Sequence, residues 1–216
     1  MSSFPAALSD VKDSMRETLS RVRQDAAHCR RCPLWQHATQ TVFGEGPARA
    51  AMMLIGEQPG DQEDLVGRPF VGPAGRVLDE ALEAAGIHRK DVYVTNAVKH
   101  FKNEPRGKRR LHKKPNEAEI DACRWWLDKE RALVRPRLTV ALGGSAAAAL
   151  LGSKVSIGKM RGVPIPAAPT TLWITVHPSY VLRIPDRPAR KAEFARFVND
   201  LAAAGAWLAA HPRIPA

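Results

Sequence analysis

A histidine, His112, lies within a strongly basic segment. Between Lys99 and Lys114 the chain carries eight Lys or Arg residues and a single acid, Glu104. Such a segment is ordinarily a solvated loop, and beside a functional crevice its cations would neutralise phosphates and hold a polynucleotide. The cations predicted to do so are Lys108, Arg109, Arg110 and Lys113. The composition leaves open whether His112 is incidental to this segment or is the residue that it presents.

Three cysteines form the second group with chemical potential. Cys29 and Cys32 have Cys-x-x-Cys spacing, and Cys123 lies far along the chain. Three thiols cannot all pair as disulfides, and in a reducing compartment such a pair more often binds metal or does redox work. Reduced structural thiols and a zinc site of Cys₃His type are both open interpretations. The nearest candidate for a fourth ligand is His100, at the end of "TNAVKH".

The third group is the stretch "GEQPGDQEDLVGRPFVGPAG", which begins at Gly56 and includes the acids Glu57 and Asp61. This stretch follows an apolar run directly and is too rich in acids, glycines and prolines for a simple turn. A short "HPS", containing His177, follows another apolar run. The sequence "GSKVSIGKM" lacks Walker spacing, and no Gly-x-Gly-x-x-Gly follows a strand, so phosphate-loop and dinucleotide sites are not indicated.

Four short apolar runs are predicted to be the strands that position these groups. They are "AMMLI", "DVYVTNAV", "RLTVALGG" and "TTLWITVHPS". Helical patterns separate them, with Gly86 as a helix C′ residue and Asn116 with Glu119 at capping-box spacing. Residues 9–27 are predicted to form an amphipathic helix with Ser9 as its N-cap, and "GVPIPAAPT" is predicted to be a connection.

Alternating strands and helices predict an α/β fold. We expect a three-layer α/β/α sandwich around a central, mainly parallel four-stranded sheet. Ligands of such sheets bind outside the carboxyl ends of the strands, where the acidic stretch, "TNAVKH", "GGS" and "HPS" should converge. Ser145 and Ser179, in the last two segments, are predicted to contact DNA.

Length and charge limit the remaining possibilities. The 216 residues suit one domain, with residues 1–8 and 209–216 as loose termini, and the net charge of +11 suits a polyanionic partner. No apolar run reaches the roughly 18 residues of a membrane span. We expect a monomer in the cytoplasm, associated with the nucleoid if the source is a bacterium, and not bound to a membrane.

Taken together, these motifs resemble the uracil-DNA glycosylase superfamily, specifically its iron–sulfur branch, family 4. The resemblance covers about residues 20 to 200 and depends on "CRRCPL", "GEQPGDQEDLVGRPFVGPAG", "YVTNAVKH" and "HPSYVLR". It implies that Phe70 stacks on an extrahelical uracil and that Asn96 pairs with the edge of the base. His177 would donate to a uracil oxygen, while Glu57 and Asp61 would stabilise the cationic sugar or orient a nucleophile.

Two departures from family 4 refine the expectation. His100 stands where that family usually has cysteine, so the implied [4Fe–4S] ligands are Cys29, Cys32, His100 and Cys123. The residues "RGKRRLH" are an insertion, and with Gln58 in "GEQPG" they resemble the X-type glycosylases, which stay covalently attached to DNA after excising uracil. By that resemblance Gln58 belongs to the substrate site and His112 is the nucleophile.

The resemblance implies uracil-containing DNA as the partner, with single strands favoured. Two other readings stay open: a conventional turnover glycosylase, in which the basic segment only grips DNA, and a non-catalytic iron–sulfur module that recognises uracil without cleaving it.

Overall fold

The central sheet has four parallel strands and one antiparallel edge strand. The computed structural model describes residues 17–107, 109–153 and 155–212. The strands of the sheet are β1 (Met52–Gly56), β2 (Val92–Asn96), β5 (Leu138–Leu142), β6 (Pro164–Ala167) and β7 (Thr170–Thr175), and a separate hairpin comprises β3 (Asn103–Arg106) and β4 (Arg109–His112). In the sheet they lie in the order β2-β1-β5-β7-β6.

Helices cover both faces of this sheet. They are α1 (Leu19–Ala26), α2 (Asp61–Val66), α3 (Pro73–Ala84), α4 (Glu117–Val134), α5 (Gly144–Leu151), α6 (Ile157–Met160), α7 (Pro178–Arg183) and α8 (Arg187–Ala210). Met53 and Ile55 of β1 pack in one core with α1, α4 and α5. Met52 and Leu54 pack in a second core with α3, α7 and α8. Successive side chains of a strand point to opposite faces of the sheet, so each buried strand contributes to both cores. The result is the predicted three-layer sandwich.

The four predicted strands, the capping box of Asn116 and Glu119, and the helix end at Gly86 are confirmed. All four apolar runs form the parallel strands β1, β2, β5 and β7. At the start of α4 the Asn116 side chain accepts from the Glu119 amide at 2.8 Å, and the Glu119 carboxylate accepts from the Asn116 amide at 2.7 Å. Gly86 follows α3 with a φ of +72°, the left-handed conformation that favours glycine.

The predicted connection "GVPIPAAPT" is instead a strand. Its residues Pro164–Ala167 form β6, which pairs antiparallel with β7. Two prolines fit there because β6 lies at the edge of the sheet, where a missing N–H need not break a ladder. The sheet therefore has five strands rather than the predicted four.

The basic segment also has regular structure. It forms the β3–β4 hairpin, in which Asn103 is paired with His112 and Arg106 with Arg109. Gly107 lies at the turn with a φ of +60°. Because β4 ends at His112, the hairpin holds this histidine at its base rather than at its tip.

The ends of the chain are described in part. The first described helix, α1, begins at Leu19 after the N-cap Thr18, so the predicted cap Ser9 lies outside the described residues. At the other end α8 runs to Ala210 and thus includes two residues predicted to be loose. Across the described ranges, none of the helices combines the length and the apolar character needed to cross a bilayer.

Candidate active site

The segments that follow the parallel strands meet around one cleft. The cleft has a volume of about 1210 Å³. Glu57 follows β1, Asn96 ends β2, Ser145 follows β5, His177 follows β7 and His112 ends the hairpin; all five line the cleft. The predicted convergence of the strand ends is therefore observed, since parallel strands all deliver their carboxyl ends to the same edge.

Phe70 and Asn96 form the floor of the cleft. Both are buried, and the Asn96 Oδ1 atom has no hydrogen-bond partner among the described residues. A Cβ atom on Gly56 would lie 2.3 Å from Asn96 Oδ1 and 2.6 Å from Phe70 Cζ, so only glycine permits this close approach. A buried amide oxygen without a partner costs free energy unless a ligand supplies the donor.

The backbone around this floor is held in an unusual conformation. Phe70 has a φ of +56°, which is rare for a residue with a side chain. Glu63 bridges the loops on either side of α2, because its carboxylate accepts from the Gly60 amide at 3.1 Å and from the Gly72 amide at 2.9 Å. Sequence reasoning missed this role, although Glu63 stands at the third position of α2, where a capping glutamate is common.

A buried ion pair contacts the last two residues of β2. The Lys99 ammonium donates to Glu130 at 2.5 Å, to the Asn96 carbonyl at 2.7 Å and to Thr95 Oγ1 at 2.6 Å. Both charged side chains are fully buried. A charge pair satisfied in this way restricts the chain to one arrangement, so the position of Asn96 is firmly defined.

His177 is held as a neutral imidazole. Its Nδ1 atom accepts from the Ser179 amide at 3.2 Å and lies 2.8 Å from Ser179 Oγ. An accepting Nδ1 leaves the proton on Nε2. Burial, together with the nearby Arg183, lowers the pKa of His177 to about 4. The Arg183 guanidinium donates to Ser179 Oγ at 2.9 Å. Ser179 and Arg183 therefore orient His177. Ser179 was predicted to contact DNA directly, and here it contacts His177.

Glu57 lies between Ser145 and His112. Its Oε2 atom accepts from Ser145 Oγ at 2.5 Å, and its Oε1 atom lies 3.6 Å from His112 Nε2. The second distance is too long for a hydrogen bond. Ser145 is buried, and its hydroxyl is used by Glu57, so it does not have the exposure expected of the predicted DNA contact. His112 itself is half exposed, and its ring lies beside Phe101.

Gln58 clamps the base of the hairpin. Its side-chain amide donates to the Lys113 carbonyl at 3.0 Å and accepts from the Lys102 amide at 3.1 Å. These two residues flank the hairpin on either side. Gln58, which was predicted to bind substrate, lines the cleft, and its polar atoms bind the hairpin backbone.

Arg110 ties the hairpin to α2. Its guanidinium donates to Asp61 Oδ1 at 2.7 Å and to Asp64 Oδ2 at 2.5 Å. The Asp64 carboxylate is fully buried and also accepts from the Thr39 amide. Arg110 is therefore engaged internally, unlike the phosphate contact predicted for it. Asp61 faces Arg110, which leaves Glu57 as the carboxylate beside the histidine.

The remaining cations of the basic segment lie in different environments. Arg109 is exposed on β4. The Lys113 ammonium pairs across the hairpin with Glu104 at 2.5 Å, and both side chains are largely exposed. Lys108 lies outside the described residues. Lys114, which follows the hairpin, lines the cleft.

The three cysteines lie in one buried cluster. Cys29, Cys32 and Cys123 belong to the same core, and the pKa of Cys123 is raised to about 12, chiefly by burial and slightly by the other two thiols. The Trp126 indole donates to Cys29 Sγ at 3.0 Å, and the Lys99 amide donates to Cys123 Sγ at 3.1 Å. His100 is buried, and its Nδ1 atom has no hydrogen-bond partner in the described part of the chain.

The histidine and the cysteines do not converge on a single ion. Within the ranges that the structure describes, no three His, Cys, Asp or Glu side chains are close enough together to hold one metal ion. Burial lowers the pKa of His100, which favours the neutral imidazole that binds metals.

Comparison with known proteins identifies the relatives of this chain. A sequence model described as the uracil DNA glycosylase superfamily matches residues 43–202. The chain is 37% identical over 186 residues to the type-4 uracil-DNA glycosylase of Pyrobaculum aerophilum, covering 82% of this chain and 90% of the relative. It is 40% identical over 175 residues to the type-4 uracil-DNA glycosylase of Thermotoga maritima, covering 77% and 84%. A type-5 uracil-DNA glycosylase of Pyrobaculum aerophilum is 30% identical over 168 residues, covering 69% and 70%.

Proposed function

Since the chain belongs to the uracil-DNA glycosylase superfamily, we propose that it excises uracil from DNA and then binds the resulting deoxyribose covalently through His112. Excision follows from the family and from the floor of the cleft. Covalent retention depends on one observation of this chain: His112 Nε2 lies 3.6 Å from Glu57, inside the same cleft as Asn96 and His177.

Uracil recognition is assigned to the floor of the cleft. A glycosylase reads a flipped or unpaired base by its Watson–Crick edge and by stacking. The unpartnered Asn96 Oδ1 suits the N3–H of uracil, and the amide nitrogen suits the adjacent O4. Cytosine presents an unprotonated N3 and an amino group at these positions, so the same amide would be mispaired. Phe70 provides the stacking surface.

Bond cleavage is assigned to His177 and Glu57. When the C1′–N1 bond breaks, its electron pair leaves with uracil, and the sugar gains positive character at C1′. The neutral His177 donates from Nε2 to a uracil oxygen as negative charge grows there, while the Glu57 carboxylate stabilises the cationic sugar. Preorganised groups of this kind usually supply the largest part of enzymatic rate enhancement.

The covalent step is assigned to His112. The lone pair of its Nε2 atom forms a bond to C1′, and the imidazolium then releases its Nδ1 proton to solvent, leaving a neutral N-alkyl imidazole. Glu57 Oε1 is too far from His112 Nε2 for a hydrogen bond, so this contact does not hold a proton on Nε2. The Nε2 lone pair can therefore be the nucleophile. A tethered nucleophile competes well with water, since it acts at a high effective concentration.

The test uses a labelled single-stranded oligonucleotide with one uracil, incubated with wild-type protein or with His112→Ala. We expect free uracil from both and, on a denaturing gel, a retarded protein–DNA band from the wild type alone. His88→Ala, which changes an exposed histidine before the amino end of β2, serves as the matched control and should crosslink like the wild type.

The other outcomes separate the competing functions. Uracil release with an abasic product and no retarded band from the wild type would identify a conventional turnover glycosylase. Binding of uracil-containing DNA without any uracil release would identify a recognition module and would contradict both enzymatic proposals.

We also propose that Cys29, Cys32, His100 and Cys123 hold a [4Fe–4S] cluster. The buried sulfurs accept N–H donors, as cluster thiolates commonly do, and His100 Nδ1, which has no hydrogen-bond partner among the described residues, is a candidate ligand atom. Each ligand of a cluster binds its own iron, so the ligands need not converge on one point as those of a zinc ion must. The cluster would join the end of α1, the end of β2 and α4 as a structural link.

We propose that single-stranded DNA is the preferred form of the substrate. An unpaired uracil can enter the cleft without the cost of unpairing and extrusion from a duplex. Comparing single-turnover excision on matched single- and double-stranded substrates tests this preference, and equal rates would contradict it.

A further inference from the structure

Two exposed tryptophans and three cations form a second surface beside the cysteines. We call it the Trp–Arg surface; it comprises Arg30, Arg31, Trp35, Trp125 and Lys129. The Arg30 guanidinium lies 4.7 Å from the Trp35 ring centre. The Arg31 guanidinium and the Lys129 ammonium lie 5.1 Å and 4.8 Å from the Trp125 ring centre. The five residues therefore form two cation–aromatic groups, which are linked through the adjacent residues Arg30 and Arg31.

This surface is open to solvent. Trp35 is 36% exposed and Trp125 is 49% exposed, which is unusual for the largest apolar side chain. Arg30 and Arg31 stand between the buried Cys29 and Cys32, so the cysteines face inward while the arginines face outward. Arg31 is held in place by donation to the Ala122 carbonyl of α4 at 3.4 Å.

The Trp–Arg surface is connected to the active-site hairpin through a short segment. Two residues after Trp35, the His37 carbonyl accepts from the Asn103 side chain at 3.0 Å. Asn103 is the partner of His112 in the hairpin register. Slightly further on, Thr39 Oγ1 accepts from Arg110 at 3.1 Å. Residues 37 and 39 therefore link the segment that carries Trp35 to the hairpin that carries His112.

The chemistry of the surface matches single-stranded nucleic acid. Proteins that hold single strands without sequence preference combine aromatic side chains, on which bases stack, with cations that follow the phosphates. Cation–π contacts orient the indole rings in advance and so reduce the entropy lost on binding. We propose that the Trp–Arg surface binds the single-stranded DNA that flanks the uracil, as a site separate from the cleft.

The neighbouring charges are compatible with this ligand. Acids at the edge are paired: Asp121 with Arg124 at 2.8 Å, Asp128 with Arg131 at 3.2 Å, and Glu17 with Lys129. Arg30 and Arg31 contact indole rings and a backbone carbonyl, which leaves their charge available to phosphates. A protein partner is the competing occupant, because exposed tryptophans also occur at protein interfaces.

The inference depends on the proposed function only in taking DNA as the ligand. Its test measures equilibrium binding of uracil-free single strands of about 5 and about 15 nucleotides, lengths near the two ends of the range of common single-strand sites. The proteins are the wild type, Trp35→Ala/Trp125→Ala, Trp35→Phe/Trp125→Phe, and Lys90→Ala. Lys90 is an exposed cation before the amino end of β2, whereas the cleft lies at the carboxyl ends of the parallel strands.

We expect the alanine pair to weaken binding of the longer strand about 10-fold or more, while the shorter strand is affected little. The phenylalanine pair should keep most of the affinity, and Lys90→Ala should bind like the wild type. Equal affinities of the wild type and the alanine pair for the longer strand would overturn the inference and favour a protein partner. Equal losses in the phenylalanine and alanine pairs would also overturn it, because stacking would not be the cause.

Uracil release from a short uracil-containing strand at saturation separates this inference from the proposed function. We expect it to be unchanged in the alanine pair. Binding that behaves as expected in a protein that releases no uracil would contradict the glycosylase proposal alone.

Discussion

The buried hydroxyl of Ser145 orients the Glu57 carboxylate. Ser145 Oγ donates to it at 2.5 Å, and this contact fixes the carboxylate beside His112. Hydrogen bonds to charged groups contribute more than neutral ones do, so their loss allows a side chain to leave its functional position. Ser145 is therefore a positioning residue that acts through Glu57.

Ser145→Ala should slow covalent attachment about 10-fold in a single-turnover assay, which corresponds to the loss of one hydrogen bond to a charged group. The melting temperature should change little, because no core contact is lost. Ser20→Ala, at an exposed position of α1, is the matched control. An attachment rate equal to that of the wild type would show that Glu57 does not need this hydroxyl.

His177 should remain neutral throughout the working pH range. Burial lowers its pKa from the ordinary value of 6.5 to about 4. Because the folded protein binds this proton more weakly than the unfolded chain does, the contribution of neutral His177 to stability is complete above about pH 6.5 and is lost as the pH falls toward 4. NMR titration of the imidazole measures the midpoint directly. A midpoint near 6.5 would contradict the assignment of a neutral donor.

The β3–β4 hairpin depends on internal contacts more than its basic composition suggests. Gln58 binds its base, and Arg110 binds Asp61 and Asp64. The hairpin therefore has two functions divided between its residues. Arg110 anchors it to α2, whereas exposed Arg109 is available to DNA.

Arg110→Lys should separate these functions. Lysine keeps the charge but cannot reproduce the planar guanidinium that bridges two carboxylates. We expect covalent attachment to slow about 10-fold, while the affinity for uracil-free single strands stays close to that of the wild type. Arg109→Lys is the matched control and should retain the attachment rate. A loss of DNA affinity equal to the loss of attachment would instead make Arg110 a phosphate contact.

The sequence was sufficient to predict the central parallel strands and insufficient to predict the short antiparallel ones. Apolar runs predicted β1, β2, β5 and β7, because strands buried on both faces must be apolar throughout. The edge strand β6 was missed because its prolines are typical of loops. The hairpin was missed because it lacks an apolar face, and its pairing depends on anchors that lie far away along the chain.

The candidate site was likewise predictable from the sequence only in part. Motif order placed Glu57, Asn96, His112 and His177 in one cleft, which the strand ends then explain. The roles of Ser145, Gln58 and Arg110 were not predictable, because each depends on a partner brought close only by the fold. Residue type alone does not show whether an arginine faces phosphate or a buried aspartate.

The proposed cluster would connect three parts of the molecule. Its ligands come from the segment after α1, the end of β2 and α4, so its loss would affect the fold as a whole. His100→Ala should lower the iron content and the melting temperature, whereas His100→Cys should retain both. His88→Ala controls for loss of an exposed histidine. A full complement of iron in His100→Ala would show that the histidine is not a ligand.

Peptide mapping identifies the residue that becomes bonded to the sugar, which we propose is His112. The wild-type protein, after reaction with a short uracil-containing strand and nuclease digestion, is cleaved with a protease that spares Lys and Arg and analysed by mass spectrometry. We expect a sugar-phosphate remnant on the peptide that contains His112, with fragment ions that assign the remnant to the imidazole. Uracil release accompanied by an unmodified His112 peptide, or by a remnant on another residue, would contradict the account.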